Sequence, residues 1–358
     1  MASPRAYTLA GFTLLAFIGT LGCLFALADL RRLGDVISHL ATGYLALALL
    51  VAVLSYAFNY LAFRGLVHAA DCRVNGPDLF RISLASATIS YLFSAGGVSG
   101  MTLRMVFLKR QGIRTHTTLL ISVVSTMLNN VVLLLFVAGG FWKLVFTGGL
   151  NALQRTLSAL IVALSTALVA SAFVGLYHRG ILELVLKAGT RMVRRAAERF
   201  PSIPLLRKAT EERLLVFRRE FHEATALITS HRRKIAVPFL YLVLDWVAAA
   251  GVLYACFLAT GYAVSPGVLA AGFSVGVFVL LISVIPGGLG IMEASMAGMY
   301  VSLGAPYEKV LVALLAYRVI YYFLPFGVSL VLCGQLLRDA GTVAPQAEPE
   351  APARGKLP

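Results

Sequence analysis

Arg104, Glu293 and Arg318 are charged residues that lie where the surrounding sequence is too apolar to solvate them. A lone charge at the centre of a bilayer costs roughly 3 kcal/mol on insertion scales, so such groups pair, face a polar cavity or mark a transport path. Glu293 closes the stretch Ile-Pro-Gly-Gly-Leu-Gly-Ile-Met-Glu that begins at Ile285 and follows a long apolar run. Pro286 supplies no backbone donor, and Gly287, Gly288 and Gly290 free the local dihedrals, so a helix is predicted to open here and restart with exposed amides. Opened backbone at membrane depth is tolerated only when buried in protein or lining a wet cavity. Glu293 then falls in the first turn of the restarted helix.

A weaker copy of this device precedes Arg104: Ala95-Gly96-Gly97-Val98-Ser99-Gly100. Paired interruptions in two halves of a membrane chain point to a binding site, although glycines also serve simply to let helices pack closely. The chemistry suited to such a site is recognition of an anionic head group. Guanidinium groups at Arg104 and Arg318, together with unpaired amides at the two breaks, are suited to phosphate. Glu293 either belongs to that site or pairs with an arginine as a structural bridge. Asn129, Asn130 and Asp245 either line the same cavity or make interhelical contacts, the plainer reading.

Competing chemistries are weaker. Gly97-Val98-Ser99-Gly100 contains the Gly-x-Ser-Gly of intramembrane serine hydrolases, but a serine nucleophile needs a base within hydrogen-bond reach. The downstream histidines His116, His178, His222 and His231 fall in expected loops or at span ends. No nucleotide-binding loop and no His-Glu-x-x-His occurs, and Cys23, Cys72, Cys256 and Cys333 are scattered singly. No metal and no cofactor is expected, and no catalytic residue is assigned.

These residues must be positioned by membrane helices. Of 358 residues 59% are hydrophobic and 13% charged, with a mean hydropathy of +0.84, well outside the range of a soluble domain. The net charge of +15 sits between apolar runs, which fits positive-inside topology and argues against a nucleic-acid partner. Full spans are expected at Thr8–Ala28, Gly43–Phe63, Thr117–Phe141, Thr156–Tyr177, Val237–Thr260 and Val310–Leu337. Asp29–Thr42 and Arg64–Arg81 read as loops. Ile82–Phe93 with its basic return limb, and Val268–Ile285 with Ile291–Leu303, read as two re-entrant hairpins.

The segment 178–234 holds 14 Lys or Arg against 6 acids and anchors the topology in the cytoplasm. Within it Leu214, Phe217, Phe221, Ala224 and Ile228 form an amphipathic stripe suited to a membrane surface or to packing under the bundle. The expected fold is therefore all-α and polytopic: six full transmembrane helices plus two re-entrant broken-helix hairpins arranged as an inverted repeat. Its halves are 8–177 and 237–337, joined by the basic linker, with a disordered tail from 338 to 358.

The Pro286-Gly287-Gly288-Leu289-Gly290 run, with Glu293 three residues on and Arg318 a span later, resembles the lysylphosphatidylglycerol synthase transmembrane family of flippase-like proteins. The first break with Arg104 resembles that family's other motif, except that Ala95 replaces its usual proline. Leu128-Asn129-Asn130 stands where the family often carries a Glu-Arg pair. The resemblance covers residues 8 to 337, without the soluble aminoacyl-transfer domain of bifunctional members. It implies an inner-membrane protein that moves a membrane phospholipid or lipid-linked molecule between leaflets. An alternative is a scaffold for a lipid-modifying partner enzyme.

Overall fold

The computed structural model describes residues 29–93, 98–146, 152–177, 232–282 and 288–340. The expected first span, Gly96, Gly97, Pro286, Gly287, the Leu214–Ile228 stripe and the tail beyond 340 lie outside them. Among the described residues every regular element is helical: α1 (Leu30–Ser38), α2 (Thr42–Ala69), α3 (Gly76–Phe93), α4 (Val98–Arg110), α5 (Thr115–Phe146) and α6 (Ala152–Tyr177), followed by α7 (Arg232–Ala259), α8 (Pro266–Ile282), α9 (Ile291–Ser302), α10 (Tyr307–Tyr317), a π-helical turn (Arg318–Phe323) and α11 (Leu324–Ala340). Among the described residues four stretches are long and apolar enough to cross a membrane: Thr42–Ala69, Thr115–Trp142, Arg233–Ala259 and Tyr307–Leu332. At 1.5 Å per residue each exceeds the roughly 30 Å of hydrocarbon that must be spanned. Leu50, Val53, Leu160, Leu164, Leu240 and Val331 are exposed on the outside, as a lipid-facing surface requires.

The central feature is an antiparallel pair, α2 against α7. The Ala41 amide donates to the Ala259 carbonyl at 3.0 Å at one end, Ser55 meets Asp245 at mid-length, and Gly65 faces Pro238 at the other end. A Cβ on Gly65 would come within 2.6 Å of the Pro238 ring, so the small residue sets how closely these helices approach. Two interrupted helix pairs, α3 with α4 and α8 with α9, surround it: α3 packs on α11, where Thr88 donates to Ser329 at 2.9 Å, and α8 packs on α5, where Ser274 donates to the Phe136 carbonyl at 2.8 Å.

Two expected loops are corrected. Residues 29–42 hold α1, whose Asp29 side chain accepts from the Arg31 and Arg32 amides at 3.0 and 3.5 Å, a helix-start cap. Leu33 and Val36 of this helix, with Leu40 just beyond it, form an apolar side that packs on Leu311, Val312 and Leu315 of α10. Between Arg64 and Arg81 only residues 70–75 are non-helical. α2 continues to Ala69, and Pro77 and Asp78 start α3 early, because proline suits the first turn and an acid complements the helix dipole there.

The final span is likewise not a uniform helix. Pro325 has no N–H to donate to the Tyr321 carbonyl, which accepts instead from the Tyr56 hydroxyl at 2.9 Å. The chain takes up the mismatch in the π-helical turn at Arg318–Phe323, an irregularity that recurs at functional sites.

Candidate functional site

The second interruption is built as its sequence suggests. Gly288 and Gly290 adopt φ of +58° and +84°, conformations that a side chain disfavours. α9 then restarts with Gly290 as its cap, and the Glu293 carboxylate reaches back to accept the Gly290 N–H at 2.7 Å. From the facing π-helical turn Arg318 donates through Nε to the other carboxylate oxygen. Its Nη2 lies 3.2 Å from Met292 Sδ, and its guanidinium stacks 4.4 Å above the Tyr322 ring. The two side chains are 3% and 5% exposed. Burial makes each charge depend on the other.

Arg104 lies apart from this pair. It is half-buried, donates through Nε to Ser86 at 2.8 Å and through Nη1 to Ser125 at 2.6 Å, and sits 5.1 Å from the Phe63 ring centre. Among the described residues no carboxylate forms an ion pair with it. Tyr91 stands between the two arginines: it interacts electrostatically with Arg104, and its ring is 5.8 Å from that of Tyr322. Of the three charges, Glu293 and Arg318 thus form an ion pair, while Arg104 is held by hydroxyls. Gly100 explains how Arg104 is placed, since a Cβ there would lie 2.4 Å from the Ser86 carbonyl oxygen. The bare backbone lets α4 approach α3 closely enough for Arg104 to reach Ser86.

Asn129 accepts from Trp246 Nε1 at 3.2 Å, tying α5 to α7, and Asn130 is half-buried beside it. In a second polar centre Asp245, which sequence reading names without its partners, is 1% exposed and accepts from Ser55 and from Asn59, the latter at 2.9 Å. Five tyrosines, Tyr56, Tyr91, Tyr317, Tyr321 and Tyr322, pack between that centre and Arg318. Two local signals pointed to it: Ser55 and Asn59 are four residues apart on one helix face, and tyrosines flank Arg318 at 317, 321 and 322. Among the described residues no three metal-ligating side chains cluster. Outside the spans, partial burial and the neighbouring Asp71 raise the pKa of the Cys72 thiol, which disfavours its reactive thiolate.

Membrane-length apolar helices, two interrupted helix pairs and a buried arginine–carboxylate pair at one interruption define an α-helical integral membrane protein. Residues 9–329 match the family described as the lysylphosphatidylglycerol synthase TM region, and the chain belongs to that family. Among curated proteins it is similar to a phosphatidylglycerol lysyltransferase of Staphylococcus aureus strain MRSA252, 41% identical over 88 residues, which is 25% of this chain and 10% of the relative. A phosphatidylglycerol lysyltransferase of Staphylococcus haemolyticus is 39% identical over a stretch of the same length and coverage. The similarity thus spans about a tenth of those relatives.

Proposed function

We propose that this protein moves a phospholipid or another lipid-linked polar molecule between the leaflets of its membrane. The observation that carries the reading is the Glu293–Arg318 pair at the start of an interrupted helix, in a family named for a lipid-modifying system. A pair of this kind can open to offer its cation to a head-group phosphate and its carboxylate to a cationic substituent. Arg104, held by two hydroxyls, supplies a second phosphate-suited group, with Gly100, Gly288 and Gly290 shaping the approach to both. The relatives' name directs attention to phosphatidylglycerol and its lysylated form as substrates.

The fold reading that accompanies this function is an inverted repeat with two re-entrant hairpins. Its support is the placement of the helix ends. Lys234 lies 3.6 Å from Asp71, which joins the loop before α3 to the start of α7, while Lys309 donates to the Gly261 carbonyl at 3.2 Å at the far end, where α8 begins. The two interrupted pairs therefore begin at opposite ends of α7. With the basic segment inside, Lys234→Cys should react in intact cells with a permeant thiol reagent and resist an impermeant one. Labelling from outside would invert the topology.

Transport is tested in reconstituted vesicles. Fluorescent phospholipids with zwitterionic, anionic, aminoacylated and polyprenyl-linked head groups should become accessible to an impermeant quencher faster with wild type than with Arg104→Ala. A loss of about 1.5–3 kcal/mol for a charged hydrogen bond corresponds to a roughly tenfold to hundredfold slower rate. Rates equal to those of empty vesicles for every lipid would favour instead a scaffold for a lipid-modifying enzyme, the reading that the relatives' name also supports.

A further inference from the structure

Asp245 is the buried ionisable side chain that the Glu293–Arg318 site leaves unexplained. It lies at mid-length of α7, and among the described residues no lysine, arginine or histidine forms an ion pair with it. Its partners are neutral: Ser55 Oγ donates to Oδ1 and Asn59 Nδ2 to Oδ2. Ser83 donates to Asn59 Oδ1 at 3.4 Å, which orients the amide with its NH2 toward Asp245. Ser55 Oγ also lies 3.1 Å from the Tyr321 hydroxyl and 3.2 Å from the Asp245 carbonyl oxygen.

The titratable groups in electrostatic reach of Asp245 are the phenols of Tyr56 on α2, Tyr91 on α3 and Tyr321 on the π-helical turn. Behind Tyr321 stand Tyr317 of α10, Tyr322 and the Arg318–Glu293 pair; behind Tyr91 stands Arg104 of α4. α8 contains no titratable residue, nor does α5 between Leu119 and Trp142. An ionised carboxylate here has hydrogen bonds but no counter-charge, which a low-dielectric surrounding opposes. Binding one proton removes that cost.

We propose that Asp245 is a proton-binding site whose occupancy is relayed to the Glu293–Arg318 site through Ser55 and Tyr321, coupling lipid movement to a proton gradient. The coupling rests on the lipid-moving reading above, whereas the proton site stands without it. With Asp245 ionised, Tyr321 donates to Ser55 Oγ and Ser55 donates to Oδ1. On proton uptake an O–H bond forms at Oδ1, which now donates to Ser55 Oγ, and Ser55 turns its hydrogen to the Tyr321 oxygen. Tyr321 loses its acceptor and must donate elsewhere. That change falls on the same irregular turn that aims Arg318 at Glu293, and release of the proton from Oδ1 to the other side restores the first arrangement.

The test uses the full chain in vesicles. Infrared difference spectra between about pH 5 and about pH 9 should show a protonated-carboxyl stretch in wild type that disappears in Asp245→Asn. No titrating band, or its survival in Asp245→Asn, overturns the proton site whatever the lipids do. With the membrane potential clamped, a one-unit pH gradient should shift the leaflet distribution of a responsive phospholipid by up to about tenfold when one proton moves per lipid. In Asp245→Asn and in Tyr321→Phe the distribution should ignore the gradient, and Tyr321→Phe should keep the carboxyl band. Equal responses in wild type and Asp245→Asn, or a response to sodium in place of protons, overturn the coupling and leave lipid movement standing. A titrating band in vesicles that move no lipid would keep the proton site and refute both the coupling and the lipid-moving reading.

Discussion

Glu293→Ala is expected to lose about 3–5 kcal/mol of stability, the usual consequence of stripping one partner from a buried ion pair. Arg318, 5% exposed, would keep its charge with no carboxylate beside it, and the Gly290 N–H at the start of α9 would lose its acceptor. Arg318→Ala leaves the carboxylate stranded in the same way. Replacing both residues, as Glu293→Ala with Arg318→Met, removes both desolvated charges and should recover most of the loss. The double variant should nevertheless move no lipid, because the groups proposed to meet the head group are gone. Denaturation midpoints of the purified protein in detergent, read beside vesicle transport, separate the two effects. A Glu293→Ala protein as stable as wild type would mean that the pair does not form in the folded chain.

Gly100→Val is expected to be strongly disruptive. Its Cβ would lie 1.8 Å from Ser90 Oγ and 2.4 Å from the Ser86 carbonyl oxygen. A side chain can rotate away, but the Ser86 backbone cannot move without parting α3 from α4. Overpacking of this sort costs about 1–3 kcal/mol or more, and it also displaces the hydroxyl that holds Arg104. Stability and the Arg104-dependent share of transport should therefore fall together. Gly298→Ala is the control: it sits within α9, nothing lies within 4 Å of its added Cβ, and its effect should stay within about 0.5 kcal/mol. If the two variants melt alike, the close approach of α3 and α4 at Gly100 is wrong.

Much of this arrangement could be read from the chain itself. Gly288 and Gly290 occur where backbone at positive φ is needed, and Glu293 lies three residues into the helix that follows, so composition and spacing located that break. The first break, a weaker copy in sequence, falls on residues 94–97, which lie outside the described residues. α1 was hidden because its apolar side is short and completes itself on Leu311 and Val312, far along the chain. The π-helical turn was hidden too. Pro325 announces a lost hydrogen bond, but the carbonyl it abandons is satisfied by Tyr56 from another helix.

The sequence by itself determined that this is a helical membrane protein, where its long helices run and where one of them must break, because those properties follow from local hydropathy and backbone freedom. Only the tertiary structure decided which cation meets which carboxylate. Arg104 and Arg318 looked equivalent in an apolar context, yet the packing of α9 on α10 brings Arg318 to Glu293, while the close contact of α3 with α4 and of α4 with α5 turns Arg104 toward Ser86 and Ser125. Asp245 likewise acquired its setting from antiparallel register. Ser55 and Asn59 are nearly two hundred residues away in sequence, and only the length-wise pairing of α2 with α7 places their donors on its oxygens. Charge pairing in a bilayer depends on separations of a few ångströms between helices, a distance that no spacing along one chain specifies.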